Sequence, residues 1–527
     1  MEDAAGCAGT SMAALPPDVS PAQPYSKVLL VLLCFLADAQ VSAEMLHRGG
    51  TPRKRWTEEG GIKVTGAPHD AALQPVLSDL PTLHDAMAEL ERLSAITLSV
   101  DGKCTLHPGV RTAVLQSLPP ESHSFWRWQA LATAYRAVPW KYLEPAATKD
   151  FSREPHARAD LTPHVVHALA AVREHDGYES LSILDRVDVV LTLIEASRLP
   201  GIEWKRHAVE QAKAAMCGRQ DDYVQACIAQ RESLLQRLAG DGMPLTLPPF
   251  SHQERRDGLV NKRMNAAIGL TVHQRALDCF QNEELSSALD VLEEWQPTRH
   301  SSPAEDVVLF RMNSLRGKIL RFQGKFQEAL GCMDKSRCAA EQQRDVHFDE
   351  DAGDLVVETA DTMRELDEPV RAEQLLRTQL ERPFHTPAAR ALLNLALAES
   401  LFAQQRFTEA DQLCRDAESC RLSKMARLRL CITAAKLRHA SSDWEGAFSW
   451  WTQALIAINK FPPTSGHTTR LIYLSLCDVL KHQGQEELEQ ASRAQVVKLE
   501  SLSGNAQAKR WIAGLRHWQA YLESSVL

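Results

Sequence analysis

The sequence predicts an all-α fold, a superhelix of stacked helical pairs preceded by a small N-terminal module with a short β-hairpin. Three observations predict it. Ala288, Ala329, Ala372, Ala410 and Ala447 recur at intervals of 41, 43, 38 and 37 residues. Each follows, three residues on, a bulky or turn residue: Leu285, Phe326, Pro369, Phe407 and Trp444. Apolar residues keep helical spacing through most of the remaining chain, with alternation only from Ala95 to Val100. A self-similar period of this length signals stacked helical pairs, because a single pair cannot bury its apolar face.

Composition sets the outer bounds. A chain of 527 residues accommodates three or four domains at about 150 residues each. Hydrophobic residues at 44% and charged residues at 24% describe a chain with a core. The net charge of −9 disfavours nucleic acid as a partner, and the short run Arg53-Lys54-Arg55 does not reverse that. That run reads as a solvated loop, with a nuclear import signal as the alternative. The twelve cysteines form no C-x-x-C pair, which predicts reduced thiols in a cytoplasmic protein rather than disulfides or a zinc site. The apolar run from Val28 to Ala37 is about half the roughly 20 residues needed to span a bilayer. It lacks the basic n-region of a signal peptide and predicts a buried helix, so no membrane partner is expected.

The elements follow in order. Residues 1–24 are small, polar and proline-bearing, and predict a disordered tail. Residues 25–119 form one module. Its first helix runs from Tyr25 to Ala37, and its second opens at Ser42, an N-cap residue type. Residues 49–70 are glycine-rich and charged and read as a loop insertion. A third helix carries Leu83, Met87, Leu90 and Leu93 on one face. The alternating strand from Ala95, the Asp101-Gly102 turn and the return strand from Lys103 make a hairpin. Three helices followed by a hairpin are a winged-helix pattern. Residues 120–245 predict divergent helical hairpins, residues 246–262 a linker, and residues 263–527 the superhelix, closed by an amphipathic capping helix near 506–524.

The repeat positions resemble the tetratricopeptide family: a small residue in the first helix of each pair (Gly317, Ala398, Ala435), a bulky residue at the turn, and alanine in the second helix. The third repeat departs from it with Pro369, and the periods exceed the family's 34 residues. Residues 25–120 resemble the winged-helix segment after the nucleotide-binding domain of NLR-like STAND proteins, particularly fungal ones. The matching places are LLCFLADAQVSAEML, Ala88 to Ser94 (AELERLS), and Leu106-His107-Pro108-Gly109-Val110, with Gly109 where the family has an apolar residue. In that family the motif histidine can sense nucleotide. Here no G-x-x-x-x-G-K-[ST] loop occurs, so no nucleotide is expected and His107 reads as structural.

No H-E-x-x-H, G-x-S-x-G or G-x-G-x-x-G is present, so neither catalytic residues, cofactors nor metals are expected and the chain reads as a non-enzyme. The cluster His347-Phe348-Asp349-Glu350-Asp351 lacks EF-hand spacing and reads as a solvated acidic helix start. The groove of the superhelix is the candidate site. Counting from each first-helix small residue, its exposed inner positions are Arg311, Ser314, Lys318, Arg321, Asp361, Arg364, Glu399, Phe402, Lys436 and His439. Five of these ten are Arg or Lys against two acids, which favours an acidic peptide or a C-terminal carboxylate. Trp444 and Trp451 read as packing residues, while helical phase points Trp450 elsewhere. The expected function is a protein-interaction scaffold or regulatory component. The alternatives are a transcriptional regulator using the winged helix and an accessory protein of a fungal biosynthetic pathway. Acidic Asp85, Glu89 and Glu91 on the third helix speak against the transcriptional reading.

Overall fold

The computed structural model describes residues 24–145, 155–175, 178, 181–199, 201–217, 221–239, 261–382, 387–459, 466–503 and 512–525. The expected tail and linker lie outside these, apart from Pro24, Asn261 and Lys262. Twenty-three α-helices are present among the described residues, with five short strands. Contacts divide the chain into two compact units: residues 1–53, 65–138 and 154–186, and residues 54–64, 139–153 and 187–527. Residues 120–138 and the helix at 155–175, expected among the helical hairpins, therefore group with the N-terminal module.

In the first unit the chain runs α1 (Pro24–Cys34), β1 (Val41–Ser42), α2 (Ala43–Gly50), then, past the hairpin β2 (Arg53–Trp56) and β3 (Ile62–Thr65), α3 (Gln74–Ser78), α4 (Leu80–Arg92), β4 (Ile96–Leu98), β5 (Lys103–Leu106), α5 (Pro108–Ser117), α6 (His123–Arg136) and α7 (Pro155–His175). The apolar run is a helix that buries Leu29, Leu32 and Leu33 against the module. Ser42 caps α2, its hydroxyl accepting from the Met45 amide at 3.1 Å. The strands form an antiparallel sheet in the order β1-β5-β4, with Val41 opposite Cys104 and Ile96 opposite Leu106. Gly49 ends α2 against α6, where a Cβ would lie 2.5 Å from the Thr133 carbonyl oxygen. His107 is the N-cap of α5, its Nδ1 accepting from the Gly109 amide at 3.2 Å.

The second unit is a stack of helical pairs. It begins with α8 (Ile183–Ala196), α9 (Ile202–Ala215) and α10 (Asp222–Ala239). Six pairs follow: α11 (Lys262–Gln281) with α12 (Leu285–Glu293), α13 (Pro303–Phe322) with α14 (Phe326–Gln342), and α15 (Asp349–Glu365) with α16 (Pro369–Leu380). Then come α17 (Pro387–Ala403) with α18 (Phe407–Glu418), α19 (Lys424–Ala440) with α20 (Trp444–Ile458), α21 (Gly466–His482) with α22 (Glu486–Ser503), and a last helix α23 (Leu515–Ser525). The five recurring alanines are completely buried. Each sits three residues into a second helix, where its missing side chain lets that helix close on the first. Gly317 serves the same approach from the other side, since a Cβ there would meet the Ala329 carbonyl oxygen at 3.1 Å. The bulky residues stand at the first position of each second helix and are less buried than the alanines, Phe407 being exposed.

The pairs share a turn. Two residues before each second helix, Glu283, Gly324, Asp367, Gln405, Ser442 and Gly484 take the left-handed conformation, with φ between 59° and 79°. The next amide donates back to a carbonyl five residues earlier, from Glu284 to Cys279 at 2.9 Å through Gln485 to Leu480 at 3.0 Å. This is the Schellman closure of a helix C-terminus. Four of the six use a residue with a side chain where glycine costs least.

Residues 49–70 are a correction. They hold a β-hairpin, not a loop, and its turn caps the stack. The Glu58 carbonyl accepts from the Arg263 amide, and the Gly60 carbonyl accepts from the Ala304 amide, both at 3.0 Å. Two helix N-termini thus find acceptors for amides that lack intrahelical partners. Arg53 and Arg55 are buried rather than solvated. Arg55 pairs with Asp188 and covers the Trp140 ring at 4.2 Å, so it cannot serve as an exposed basic signal as it stands. Among the described residues all cysteines are free thiols, and no helix is long and apolar enough to cross a membrane.

The shared turn gives a stability prediction. Gln405→Gly relieves a left-handed side chain and is expected to stabilise the protein by about 1 kcal/mol, while Gly484→Ala is expected to cost about the same. Urea unfolding midpoints of the two variants check this.

Candidate functional site

Stacking brings the first helices α13, α15, α17 and α19 side by side, so residues far apart in sequence meet near their C-terminal turns. Lys318 and Arg321 come from α13, Glu358, Asp361, Arg364 and Glu365 from α15, Glu399 and Phe402 from α17, and Arg429, Lys436 and His439 from α19. Lys318 Nζ pairs with Glu358 at 2.7 Å, and Arg321 pairs with the same carboxylate. Asp361 accepts from both Arg364 and Arg429. Glu399 accepts from Arg364 Nη1 at 2.5 Å and from the Thr433 hydroxyl at 3.2 Å, with Arg429 Nε at 3.4 Å. Each carboxylate serves at least two cations, and Arg364 and Arg429 each join carboxylates of two helices. Such sharing compensates charges that burial would otherwise make costly.

Burial lifts the Glu358 carboxyl, but Arg321 and Lys318 more than reverse this and bring it from 4.5 down to about 2. Burial likewise works against ionised Glu399, and Arg429 and Arg364 hold it below the usual carboxylate range. Lys436 is fully buried, which pulls its ammonium down to about 8 despite the nearby Glu399.

The chain's own last helix lies on this face. Lys436 Nζ donates to the Ala513 carbonyl. Arg516 Nη1 donates to the Glu365 carbonyl at 2.5 Å and its guanidinium covers the Phe326 ring at 5.1 Å. His517 Nε2 lies 2.9 Å from the Arg364 carbonyl oxygen. Trp518 Nε1 donates to Ser475 at 2.9 Å, and its ring packs against Phe402, His439 and Trp451. Ala513, Leu515, Trp518 and Leu522 are buried there. The segment expected only as a cap thus makes contacts from the second pair to the sixth.

The predicted groove residues come together, but their exposure differs from expectation. Arg321, Asp361, Arg364, Glu399, Lys436 and His439 are each 3% exposed or less. Counting from the small residues found the correct face but could not see the neighbouring helix or α23 covering it. His439 Nε2 pairs with Asp478 at 2.8 Å. Phe402 is half-buried under the Lys436 ammonium, 4.6 Å from its ring. Lys318 keeps partial exposure. Ser314 points elsewhere: its hydroxyl donates to the Phe310 carbonyl at 2.8 Å and meets Ser336 of α14 at 3.1 Å, inside the pair. Arg311 is half-buried and acts electrostatically on Lys141, Asp351 and His273 instead of joining the network. Asp351 is not a solvated helix start, since Lys141 Nζ at 3.0 Å and the Tyr142 hydroxyl at 2.7 Å both donate to it. Trp450 packs against two adjoining apolar clusters, and Trp444 stacks on His482 at 4.1 Å. Among the described residues no three metal-ligating side chains converge.

Sequence reasoning missed Glu358, Arg429, Arg516, His517 and Trp518. Helical spacing could have reached Arg429, which lies seven residues before Lys436 on the same face. Nothing in the spacing says that α23 folds back.

Among solved structures, the chain is similar to a Rap protein complexed with competence and sporulation factor. That likeness has 10% identity and a TM-score of 0.37, and covers 60% of this chain and 76% of that one. It is also similar to a signal transduction ATPase with numerous domains (STAND) protein with a tetratricopeptide repeat sensor from Pyrococcus horikoshii. There the identity is 12% and the TM-score 0.39, over 95% of this chain and 63% of that one. The chain thus spans just under two thirds of that protein's length. No protein-family model matches the chain, and no curated protein matches it. Likeness this shallow transfers no activity or partner; the tetratricopeptide-like arrangement of helical pairs rests on the contacts described above.

Two predictions follow from the network. Glu399→Ala leaves Arg364 and Arg429 short of a shared carboxylate inside the protein and is expected to cost about 3–5 kcal/mol in chemical denaturation. Glu358 is depressed in the folded state, so its contribution is fully present above about pH 4.5 and is lost as the pH falls toward 2. Glu358→Gln is expected to flatten that part of the acid limb in a pH series of thermal melts.

Proposed function

We propose that this chain is a non-enzymatic protein-interaction scaffold or regulatory component whose first-helix face binds a peptide segment. The observation that carries this reading is α23 lying across that face. Its occupancy defines what the face accepts: a helical segment with an aromatic anchor at Trp518 and donors at Arg516 and His517 toward the helix ends of the third pair. Helix-in-groove recognition uses the same parts, with apolar anchors setting affinity and polar contacts setting register. A partner in this reading competes with α23. An acidic partner would compete with Glu358, Asp361 and Glu399 for the guanidinium groups, and Lys318 is its most accessible cation.

The N-terminal module supports a winged-helix-like reading through its order of helices, short sheet and β4–β5 hairpin. Descent from an NLR-like STAND protein without its nucleotide engine remains part of this proposal, supported by the motif places around His107. The transcriptional alternative has less to support it, because Asp85 and Glu91 of α4 face solvent and repel phosphate.

A labelled peptide of residues 512–525 tests the interaction reading. Added to the Trp518→Ala chain, whose own α23 is loosened, it is expected to bind at micromolar concentration in fluorescence anisotropy. The unsubstituted chain is expected to bind it at least about tenfold more weakly, because its own segment holds the face at high effective concentration. Equal and unsaturable binding by both chains would contradict the proposal.

A further inference from the structure

A second cavity lies in the second unit, away from α23. It measures about 80 Å³ and is bounded by β2, the residue 140–142 turn and helices α8, α10, α11 and α13. On α10, Tyr223, Cys227, Gln230 and Arg231 recur at helical spacing and so share the face that lines it. Trp56, Trp140, Tyr142 and Tyr223 supply aromatic walls, and Lys141, Arg198, Arg231 and Arg263 supply cations.

The charges do not balance. Lys141 is matched by Asp351 at 3.0 Å, and Arg198 Nε by Glu195 at 2.8 Å. Arg263 covers the Tyr223 ring at 4.3 Å, and its ion pair is a long one of 3.8 Å to exposed Glu58. Arg231 has no ion pair at contact distance: the Glu195 carboxylate, already held by Arg198, acts on it from further off, and its buried Nη2 makes no hydrogen bond among the described residues. Burial and the neighbouring Arg198 charge push its guanidinium down to about 9. A buried donor left unmade, on a side chain that stays charged, is a standing cost in the empty protein.

We propose that this cavity binds one small oxyanion, a phosphate or carboxylate group, with Arg231 as its principal ligand and Arg198 and Arg263 flanking it. The cavity has room for several waters and therefore for one such group. Guanidinium forks match the geometry of both anions, and the aromatic walls exclude bulk water from the pair. This site is independent of the first-helix face and of the peptide reading.

The test uses the full chain with inorganic phosphate, acetate, and sodium chloride at matched ionic strength. The readouts are the thermal midpoint and the fluorescence of the tryptophans, of which Trp56 and Trp140 line the cavity. Phosphate or acetate is expected to raise the midpoint by about 2–4 °C in a saturable way beyond chloride. A phosphate response identifies phosphate as the preferred group, and an acetate response identifies carboxylate. Arg231→Met is expected to abolish the saturable shift and, because it removes an unmatched buried cation, to melt no lower than the unsubstituted chain in chloride alone. Arg263→Lys, which keeps the charge and loses the fork, is expected to weaken the response at least about tenfold without abolishing it. The absence of any response beyond chloride overturns the proposal. So does an Arg231→Met chain that keeps the full shift.

Discussion

The close approach of paired helices is the constraint on which the second unit depends. Alanine at the fourth position of the second helix in the first five pairs leaves room for the first helix, and these five alanines have no exposed surface at all. Any larger side chain there would have to displace a neighbouring helix, because interiors packed at crystal-like density have no slack to give. The common Schellman turn fixes the angle at which each second helix departs. The turn recurs in all six pairs and the alanine in five, and together they set neighbouring first helices side by side.

That arrangement is what makes the ionic network possible. Asp361 and Glu399 come from adjacent first helices, and Arg364 and Arg429 each bridge them. Buried charges of this kind do not by themselves make a protein stable; hydrophobic replacements often serve as well. Their consequence here is specificity. A helix that slipped by one residue would leave a guanidinium facing hydrocarbon, so the network favours a single stacking arrangement. It also fixes the surface on which α23 sits, where Lys436 donates to the returning segment and the carbonyls of Arg364 and Glu365 accept from it.

The repeats were legible because their signal is local. The alanine positions, the turn glycines Gly324 and Gly484, and the small residues Gly317, Ala398 and Ala435 all report contacts within one pair. Helix boundaries in the N-terminal module were legible for the same reason, through Ser42 as a cap and Asp101-Gly102 as a turn. The hairpin at 53–65 was not, because its basic strand is held in part by Arg55, whose burial depends on Asp188 and Trp140, more than eighty residues away. The groove positions were half legible. Their face follows from helical phase, whereas their burial depends on α23, and Ser314 fell on the wrong side because it lies one step round the helix toward Ser336. The cavity at Arg231 left no motif, since its lining residues come from six separate elements.

The central claim is that α23 is held against the first-helix face rather than merely following the last pair. Hydrogen exchange of the intact chain tests this most directly. A helix of eleven residues is marginal in water by itself, so its amides are protected only when docked. The account predicts that the backbone amides of residues 519–525 exchange at least about a hundredfold more slowly than unstructured chain, and that Trp518→Ala removes this protection while α11 and α12 keep theirs. Exchange of α23 at unstructured rates in the unsubstituted chain, with the Arg364–Glu399 turns still protected, would contradict it.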